Sequence, residues 1–521
     1  MSNHEKNVLW VFVLLGLAVR LYGINSPLVD SHQIRQAQTA MMARNLYEDH
    51  MDIFHTRLDF FGNVPGYIIL EFPLMHGITA LLYNVFGVHE IIGRLVSVGF
   101  SVGAMILMYG LARQFLSAPG AFAALALYAF SPMNIYFSRA FMPESSMMFF
   151  TVGSIYFFLR WLDKETLILY LTAILCAALA CLAKPTAGMI YAPIFAAWFL
   201  KYRWGLLRRF DFWLYILLTT MPIMLWGAWA HYFNAKQSYI PFGFGGNWTE
   251  IITTRGSIID IWLDSGFYKF VGGSIILLLL TPLGFIGTAI GVLCSWGGDR
   301  SKILYSWLGA VIAYFYVLAG ANSGHIYYHL PLLPVAALFF GFAAQWLLSK
   351  HGFLKEMLKR KSVVWLGGCF VFLVLAGYAV GYYKFFRYMY ENRMPYTLEA
   401  AKIIREHFPK NCCIIVNQPS ATASVETYYS HGKSWDFYVV SHGPITERVL
   451  AHAAIAELER LRTLGATTYL AMDTKYGRGV WATQSNKIFW QYLNEHYKPI
   501  ALTDHYLIFD LRVPLSIGGK K

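Results

Sequence analysis

Residues 8–24 read VLWVFVLLGLAVRLYGI, and residues 27–45, which follow almost directly, read PLVDSHQIRQAQTAMMARN. The first stretch is close to the roughly 20 apolar residues that span a bilayer. Because Lys6 precedes it and no small-residue cleavage site follows it, we predict an uncleaved signal anchor rather than a removed signal peptide. The second stretch places Asp30, His32 and Arg35 at the mouth of this span. Together they predict a membrane helix that opens into a polar segment at one interface.

The rest of the chain has the same apolar character. Of its 521 residues, 57% are hydrophobic, 17% are aromatic and only 14% are charged. Soluble domains carry roughly 25% charged residues. The composition therefore predicts a polytopic α-helical protein of the lipid bilayer.

The basic residues are in excess, with a formal net charge of +13. A nucleic-acid-binding protein would gather its Lys and Arg on one face or stripe. Here the basic residues lie in short clusters between apolar runs, as cytoplasmic loops do under the positive-inside rule. The charge therefore indicates orientation in a membrane and argues against a nucleic-acid partner.

The apolar runs predict about eleven transmembrane helices. With the N-terminus in the cytoplasm, nearly every cytoplasmic connection is short and basic, as the positive-inside rule requires. We therefore predict an integral protein of a bacterial inner membrane whose C-terminal part lies outside. The predicted spans are residues 8–24, 90–112, 118–137, 145–162, 166–183, 185–200, 212–233, 270–296, 303–321, 330–348 and 363–383.

This topology divides the chain into a transmembrane domain, residues 1–383, and an external soluble domain, residues 384–521. Strands predicted at NCCIIVNQ, TTYLAMD and HYLIFDL alternate with helices at ITERVLAHAAIAELERLRTLGA and NKIFWQYLNEHY, which is typical of a small α/β domain. No catalytic motif is visible in it. Accessory or acceptor-binding work and a purely structural cap both remain open.

Two external connections are long. The first, residues 25–89, contains residues 70–87, which we interpret as an interfacial helix. The fourth, residues 234–269, is rich in Gly and aromatic residues and is a candidate lid or substrate loop.

Ionisable residues near membrane spans are costly, so their placement is informative. In the predicted topology they gather at the external interface, whereas a transporter would place such residues near the bilayer midplane. An enzyme that acts on a lipid-borne substrate needs them at the depth of the headgroup, so the pattern favours an enzyme. The gathered residues are Asp30, His32, Arg35, Glu71, His76, Arg139, Glu144, Lys184 and the segment HIYYHLPLLP at 325–334.

These residue types suit displacement of a phosphate from a sugar carbon. Asp30 is a candidate general base for an attacking hydroxyl group. Arg35, Arg139, Lys184 and the His and Tyr residues of HIYYH are candidates to neutralise a phosphate leaving group.

Each candidate also has a structural alternative. Asp30 is placed to cap a helix that begins at Ser31, and Glu71 to serve a helix dipole. Arg139 and Glu144 are placed to pair with each other, and Lys184 to snorkel from a span end.

A metal site is the weaker interpretation of the same residues. Asp30 and His32, with His325 or His329, have no close ligand spacing. We therefore predict no required cofactor and leave a divalent metal as an open alternative.

Several ordered motifs resemble the GT-C glycosyltransferases, specifically the glycosyltransferase-39/ArnT-like and RgtA-type group related to protein O-mannosyltransferases. The motifs extend from Arg20 to about Pro334, in the order that the family shows. They are RLYGINSPLVDSHQIRQAQTAMMARN, EFPLMHGITALLYNVFGVHEIIGRLVSVGFS, SPMNIYFSRAFMPESSMMFF, AKPTAG and HIYYHLPLLP.

The resemblance implies a GT-C fold and transfer of a sugar, with inversion, from a polyprenyl-phosphate donor at the outer face. Asp30 matches the family's catalytic base, and Glu144 and Glu71 match further acids of the external loops. Lys184 and the HIYYH segment, with His325, Tyr328 and His329, match the lipid-phosphate side of the site.

The sequence departs from the family at two positions. Ser31 stands where many relatives carry a second acid, and Phe72 stands where ArnT-like members carry a lysine. The phosphate is then left to Lys184, Arg35 or the histidines.

The leading hypothesis is a glycosyltransferase whose acceptor is a lipid, a glycan or a protein. A transporter or flippase of a lipid-linked glycan is the alternative from another class. A membrane-anchored scaffold whose external domain binds a partner is the third.

Overall fold

A computed structural model describes most of the chain, namely residues 1–59, 61–237, 258–349, 381, 383–417, 423–437, 447–472 and 487–515. The chain is divided into two compact units. The helical unit comprises Met1–Asn25, Ile69–Thr79 and Ile91–Tyr390, and the sheet unit comprises Ser26–Ile68, Ala80–Glu90 and Glu391–Lys521.

Helices form nearly all of the described part of the helical unit. Apolar residues recur around their whole circumference, so the helices pack into one large core that includes Trp198, Trp307 and Tyr215. Two 3-10 helices, Pro185–Ile190 and Arg203–Arg208, lie directly before and after the α-helix Tyr191–Tyr202. The α-helices of residues 1–234 are α1 Asn3–Arg20, α2 Gln33–Glu48, α3 Leu74–Phe86, α4 Glu90–Ala112, α5 Ala118–Phe130, α6 Pro132–Arg139, α7 Glu144–Lys164, α8 Leu167–Ala183, α9 Tyr191–Tyr202 and α10 Phe210–Asn234. Of these, α2 and the part of α3 from Ala80 onward belong to the sheet unit.

The second half of the helical unit continues the pattern with shorter pieces. A π-helix, Ser274–Leu279, and a 3-10 helix, Ile326–His329, interrupt it. The α-helices are α11 Ile258–Leu263, α12 Ser265–Gly273, α13 Thr281–Cys294, α14 Ser301–Val317, α15 Ala319–Asn322 and α16 Leu332–Ser349.

Among the described residues, three helices are long and apolar enough to cross a membrane, or up to five if each of two bent pairs is one span. The three are Glu90–Ala112, Phe210–Asn234 and Leu332–Ser349. Shorter apolar helices are Leu74–Phe86, Leu167–Ala183 and Ser301–Val317. Apolar helices thus occupy several of the predicted positions, while the number of spans stays a prediction.

Two predicted spans are bent rather than straight. Ala118–Phe130 and Pro132–Arg139 meet at 58°, and Ser265–Leu279 and Thr281–Cys294 meet at 99°. A proline follows each break, and the residue before a proline is disfavoured in the helical region. Accordingly, Ser131 has ψ 125, outside the helical region, whereas Thr281 at the second break has a left-handed φ of 67. The sequence places both prolines, but the spans were predicted from hydropathy alone.

Other predicted segments fall differently against the structure. The predicted interfacial helix at 70–87 corresponds to α3, Leu74–Phe86. Residues 238–257 of the predicted lid loop and nearly all of the predicted span at 363–383 lie outside the described residues.

The sheet unit is built on five strands in the order β2-β1-β3-β5-β4. β1 is parallel to β2 and to β3, and β5 is antiparallel to β3 and to β4. The strands are β1 Cys413–Asn417, β2 Lys433–Asp436, β3 Thr468–Met472, β4 Lys498–Leu502 and β5 Tyr506–Asp510. The helices of the C-terminal segment are α17 Thr397–His407, α18 Ser424–Ser430, α19 Glu447–Thr463 and α20 Lys487–His496.

Both faces of the central strands are covered, which explains their continuous apolar sequence. Ile415 and Tyr469 pack on one face with Leu458 of α19. Ile414 packs on the other face with Ile404 of α17. The predicted strands at β1, β3 and β5 and the predicted helices at α19 and α20 are confirmed, and the external location of this domain stays a prediction.

Candidate functional site

A lysine and a glutamate form a buried ion pair in the helical unit. Lys184 precedes Pro185, so α8 ends at Ala183 and Lys184 takes an extended conformation with φ −155. Glu144 occupies the first turn of α7, where a carboxylate is favoured by the helix dipole. The Lys184 ammonium group donates a hydrogen bond to Glu144 Oε1. The side chains are only 10% and 1% exposed.

Two tyrosine rings lie next to the same ammonium group. Lys184 Nζ is 4.6 Å from the ring centroid of Tyr327 and 5.1 Å from that of Tyr328. Tyr314 Oη fixes this segment by donating to the Tyr328 carbonyl oxygen at 3.0 Å. A cation is attracted to the face of an aromatic ring, most strongly where water is excluded. The two rings therefore contribute a favourable electrostatic environment for the Lys184 ammonium group.

The pair leaves one oxygen atom open. Glu144 Oε2 is buried and receives no hydrogen bond from the described residues. A buried acceptor without a partner costs roughly 1–3 kcal/mol. An oxygen in this state, next to a buried ammonium group, is suited to contact a bound ligand.

The pairing overturns two structural alternatives from the sequence. Glu144 pairs with Lys184 and not with Arg139, so the predicted Arg139–Glu144 bridge is wrong. Lys184 is buried rather than reaching out from a span end, so the snorkelling alternative is also wrong. Lys184 and Glu144 are 40 positions apart in the sequence, and the fold alone brings them together.

Arg139 ends α6 and is 1% exposed. Its guanidinium carbon lies 4.1 Å from the ring centroid of Tyr390 and 5.2 Å from that of Tyr136. Its Nη1 donates to the carbonyl oxygen of Gly23 at 2.9 Å, and Arg94 Nη1 donates to the same oxygen at 2.9 Å. Sequence reasoning missed Arg94 because it lies inside a long apolar run.

The two histidines of the HIYYH segment differ. His329 is fully buried, with Nδ1 2.8 Å from Ser274 Oγ and Nε2 3.0 Å from the Asn322 carbonyl oxygen. Both its ring nitrogens are therefore engaged within the fold. His325 is exposed and its ring stacks on Tyr327 with centroids 5.2 Å apart.

Glu71 lies close in space to the end of α8. The next residue, Phe72, donates its backbone N–H to the Leu182 carbonyl oxygen at 3.1 Å, two positions before Lys184. Glu71 is half-buried and precedes α3 by three residues, so it lies outside the first turn of that helix. The helix-dipole alternative is therefore not supported by the helix start.

Asp30 belongs to the sheet unit and is 3% exposed. Its Oδ1 accepts a hydrogen bond of 2.6 Å from Gln36 Nε2. The following helix, α2, begins at Gln33 with His32 at the N-cap position and no capping side chain. The alternative that Asp30 caps a helix beginning at Ser31 is therefore wrong, and Gln36 is a partner that the sequence did not indicate.

Arg35 and His32, two further predicted residues, lie on α2 or at its start. Arg35 is half-buried on α2, and its carbonyl oxygen accepts from Thr39 Oγ1 at 2.9 Å. His32 adopts a left-handed backbone with φ 57. The part of the chain that the structure describes contains no group of three His, Cys, Asp or Glu side chains able to hold a metal ion.

Comparison with known proteins identifies the fold. Residues 71–229 match the family model of dolichyl-phosphate-mannose-protein mannosyltransferases. This match includes Glu71, Arg139, Glu144 and Lys184 and excludes Asp30. A sequence comparison with curated proteins finds no significant match.

Solved structures resemble the chain over almost its full length. ArnT from Cupriavidus metallidurans in the apo state matches with a TM-score of 0.66 and 14% identity, and each chain is covered completely. The same protein bound to undecaprenyl phosphate gives a TM-score of 0.60. The archaeal oligosaccharyltransferase AglB from Archaeoglobus fulgidus, in complex with an inhibitory peptide and a dolichol-phosphate, gives 0.59 at 12% identity, covering 99% of this chain and 76% of that one. The chain therefore has the fold of these structures, and the resemblance predicted from its motifs is confirmed as a likeness of fold.

Proposed function

We propose that this chain is an inverting glycosyltransferase that takes a sugar from a polyprenyl-phosphate donor and passes it to a hydroxyl group of a lipid, glycan or protein acceptor. The observation that carries the proposal is the buried Lys184–Glu144 pair beside Tyr327 and Tyr328 in a GT-C fold. Two structures of that fold contain undecaprenyl phosphate or a dolichol-phosphate, which supports a lipid-phosphate donor here.

Lys184 is the proposed binding group for the phosphate. Burying an ammonium group costs several kcal/mol unless a partner compensates it. Without substrate, Glu144 and the two rings supply that compensation. In a water-poor site that screens charge weakly, a phosphate oxygen is attracted by Nζ and repelled by the Glu144 carboxylate, so it would replace Glu144 as the partner of Nζ. Lys184 would then stabilise the negative charge that develops on the leaving phosphate.

Asp30 is the proposed general base. It would accept the proton of the acceptor hydroxyl group as the oxygen attacks the anomeric carbon. The bond between that carbon and the phosphate oxygen breaks at the same time, and its electron pair leaves with the polyprenyl phosphate. One displacement inverts the anomeric centre. Gln36 holds one oxygen of Asp30, so the carboxylate has a fixed orientation for this step.

The other predicted residues have supporting roles in this proposal. Glu71 lies beside the end of α8 and would orient the sugar or the acceptor, and Arg139 would add positive charge. Arg35, His325 and Tyr328 are further candidates to contact the phosphate. Since cationic side chains supply this charge, the proposed reaction requires no metal ion.

The proposed location is a bacterial inner membrane, with the N-terminus in the cytoplasm and the C-terminal domain, residues 384–521, outside. The support is the placement of short basic clusters between the apolar helices. One such cluster is the 3-10 helix Arg203–Arg208.

The proposal is tested with the purified chain in liposomes, labelled undecaprenyl-phosphate sugars and a panel of acceptors. We expect one donor to yield a product with a new glycosidic bond of inverted configuration. Asp30→Asn should abolish turnover, while Asp52→Asn should not, because Asp52 is an exposed aspartate that pairs with His55 and accepts the Phe54 N–H. Full activity of Asp30→Asn would refute the assignment of the base. Movement of the lipid between leaflets with every linkage intact would instead indicate a flippase.

A further inference from the structure

The backbone immediately before Asp30 is held by the C-terminal part of the sheet unit. The Leu28 N–H donates to Tyr429 Oη at 2.6 Å. The Arg393 N–H donates to the Val29 carbonyl oxygen at 2.8 Å. Leu28, Val29 and Asp30 are all buried. Two hydrogen bonds from distant residues therefore fix the two positions that precede Asp30.

The helix that follows Asp30 is attached to the same region. Gln38 Nε2 donates to Ser424 Oγ at 3.3 Å. Arg44 Nη1 donates to the Tyr428 carbonyl oxygen at 3.1 Å, and its guanidinium carbon lies 5.0 Å from the Tyr428 ring centroid. Helices α2 and α18 therefore lie against each other, so the Gln36 side chain that orients Asp30 rises from a fixed helix.

A third set of contacts follows α2, where Asp59 and Gly62 form backbone hydrogen bonds with the edge strand β2. The Ser434 N–H in β2 donates to the Asp59 carbonyl oxygen at 2.8 Å, and the Gly62 N–H donates to the Ser434 carbonyl oxygen at 2.6 Å. A sheet edge normally needs such cover. Gly62 has φ +67, and a Cβ atom there would lie 1.7 Å from Cε2 of Trp435. The close approach is therefore specific to glycine.

We propose that the described residues of 391–417 and 423–437 act as a clamp on the Asp30 segment and that Tyr429 is a positioning residue for the transfer reaction. The clamp comprises the Tyr429 hydroxyl, the Arg393 N–H, Ser424, the Tyr428 carbonyl group and Ser434. A general base acts only within hydrogen-bond reach of its proton, and a misplacement of about 1 Å costs about 100-fold in rate.

This inference rests on the proposed role of Asp30 as the base. It gives the C-terminal segment a function in turnover that needs no acceptor contact. It also predicts that the hydroxyl group of Tyr429, rather than its ring, is the group that matters, since the oxygen receives the Leu28 N–H.

Tyr429→Phe in the full-length chain tests the clamp. We expect kcat to fall by about threefold to tenfold, the effect of losing one hydrogen bond, with the KM for the donor unchanged. Hydrogen–deuterium exchange of the peptide that covers residues 26–36 should become faster, and peptides of β3 and β5 should exchange as in the wild type. Tyr492→Phe is the matched control, because Tyr492 is a half-buried tyrosine of the same unit whose hydroxyl donates to Glu459 at 3.0 Å. It should change neither measurement.

A second comparison removes the other hydrogen bond. Arg393→Pro deletes the N–H that reaches Val29, while Arg393→Ala keeps it, so any effect of the side chain is common to both. The proline variant should show the lower kcat and the faster exchange of residues 26–36.

The outcomes separate this inference from the proposed function. If the wild type transfers sugar and Asp30→Asn does not, an unchanged kcat in Tyr429→Phe overturns the positioning role. Unchanged exchange of residues 26–36 in that variant overturns the clamp itself. If the wild type turns over no polyprenyl-phosphate sugar, the proposed function fails, and the exchange data still decide whether Tyr429 holds the segment.

Discussion

Two buried ion pairs, one in each unit, differ in the hydrogen bonds that their carboxylates accept. In the sheet unit Arg44 pairs with Asp59 at 3.1 Å, and Asn45 and Arg57 also donate to Asp59. In the helical unit Lys184 pairs with Glu144, and Glu144 Oε2 receives no hydrogen bond from the described residues. Both carboxylate oxygens of Asp59 accept hydrogen bonds, whereas one carboxylate oxygen of Glu144 accepts none from the described residues. The first arrangement is typical of a structural joint, and the second of a site that awaits a ligand.

The largest expected effect comes from removing both charges of the Lys184–Glu144 pair, so that no lone buried charge is left. In the double variant Lys184→Met/Glu144→Gln neither side chain is charged, so the fold should persist, whereas the phosphate loses its cation. We expect transfer from the polyprenyl-phosphate donor to fall by about 100- to 1,000-fold, the cost of removing one electrostatic stabiliser of a transition state. Initial rates in liposomes measure this, with thermal unfolding as the check on the fold. A double variant with the wild-type rate would contradict the assignment of Lys184.

The next largest effect is a loss of stability on breaking the Arg44–Asp59 pair. Arg44→Met leaves the buried Asp59 with Arg57 as its remaining cation. We therefore expect the free energy of unfolding of the sheet unit to fall by about 1.5–3 kcal/mol, the contribution of one hydrogen bond to a charged group. Lys410→Met is the control, since Lys410 pairs with Glu48 at 3.2 Å at an exposed position and should lose less than about 1 kcal/mol. Denaturant titration of the full chain in detergent compares the two. Equal losses would show that the Arg44–Asp59 pair does not hold this unit together.

A smaller effect is expected from pH, again in the sheet unit. Burial raises the pKa of Glu426 to about 7 from 4.5 and the pKa of Asp436 to about 7 from 3.8. Both acids bind their protons more tightly in the folded chain, so their contribution to stability is present at low pH and is lost as the pH rises to about 7. Burial, together with the charge of Arg44, lowers the pKa of His431 to about 4 from 6.5, so its contribution has the opposite sign, is present above 6.5 and is lost as the pH falls toward 4.

Between pH 5 and pH 7.5 the stability lost through the two acids exceeds the stability gained through the one histidine. The sheet unit should therefore unfold at a higher temperature at pH 5 than at pH 7.5. Glu426→Gln, which cannot ionise, should flatten this dependence. The unfolding temperatures of the wild type and of Glu426→Gln, measured across this pH range, test both expectations. A sheet unit that is more stable at pH 7.5 than at pH 5 would contradict the raised acid pKa values.

Hydropathy and local motifs predicted much of the fold. Apolar runs located most helices of the helical unit, and strands β1, β3 and β5 followed from continuous apolar segments. The strands that were missed have weak signals. β2 reads KSWD, which is mostly polar, and β4 begins with Lys498-Pro499, a pattern confined to sheet edges.

The candidate site was predictable by residue type but not by partner. Proline after Lys184 indicated where α8 ends, and the motif position of Glu144 indicated an acid. Their pairing depends on the packing of α7 against α8, which sequence spacing does not reveal. The same holds for Tyr429 and Leu28, which are 401 positions apart. Long-range contacts of this kind are a property of the fold rather than of any local pattern.

Equilibrium binding of undecaprenyl phosphate tests the central claim most directly, because it measures the phosphate site without the chemical step. The wild type and the Lys184→Met/Glu144→Gln chain should be titrated side by side in the same detergent. We predict that the wild type binds the lipid phosphate and that the double variant binds at least about tenfold more weakly, the loss of one charge-assisted contact. Equal affinities in the two chains would contradict the claim that the open ion pair is the phosphate site.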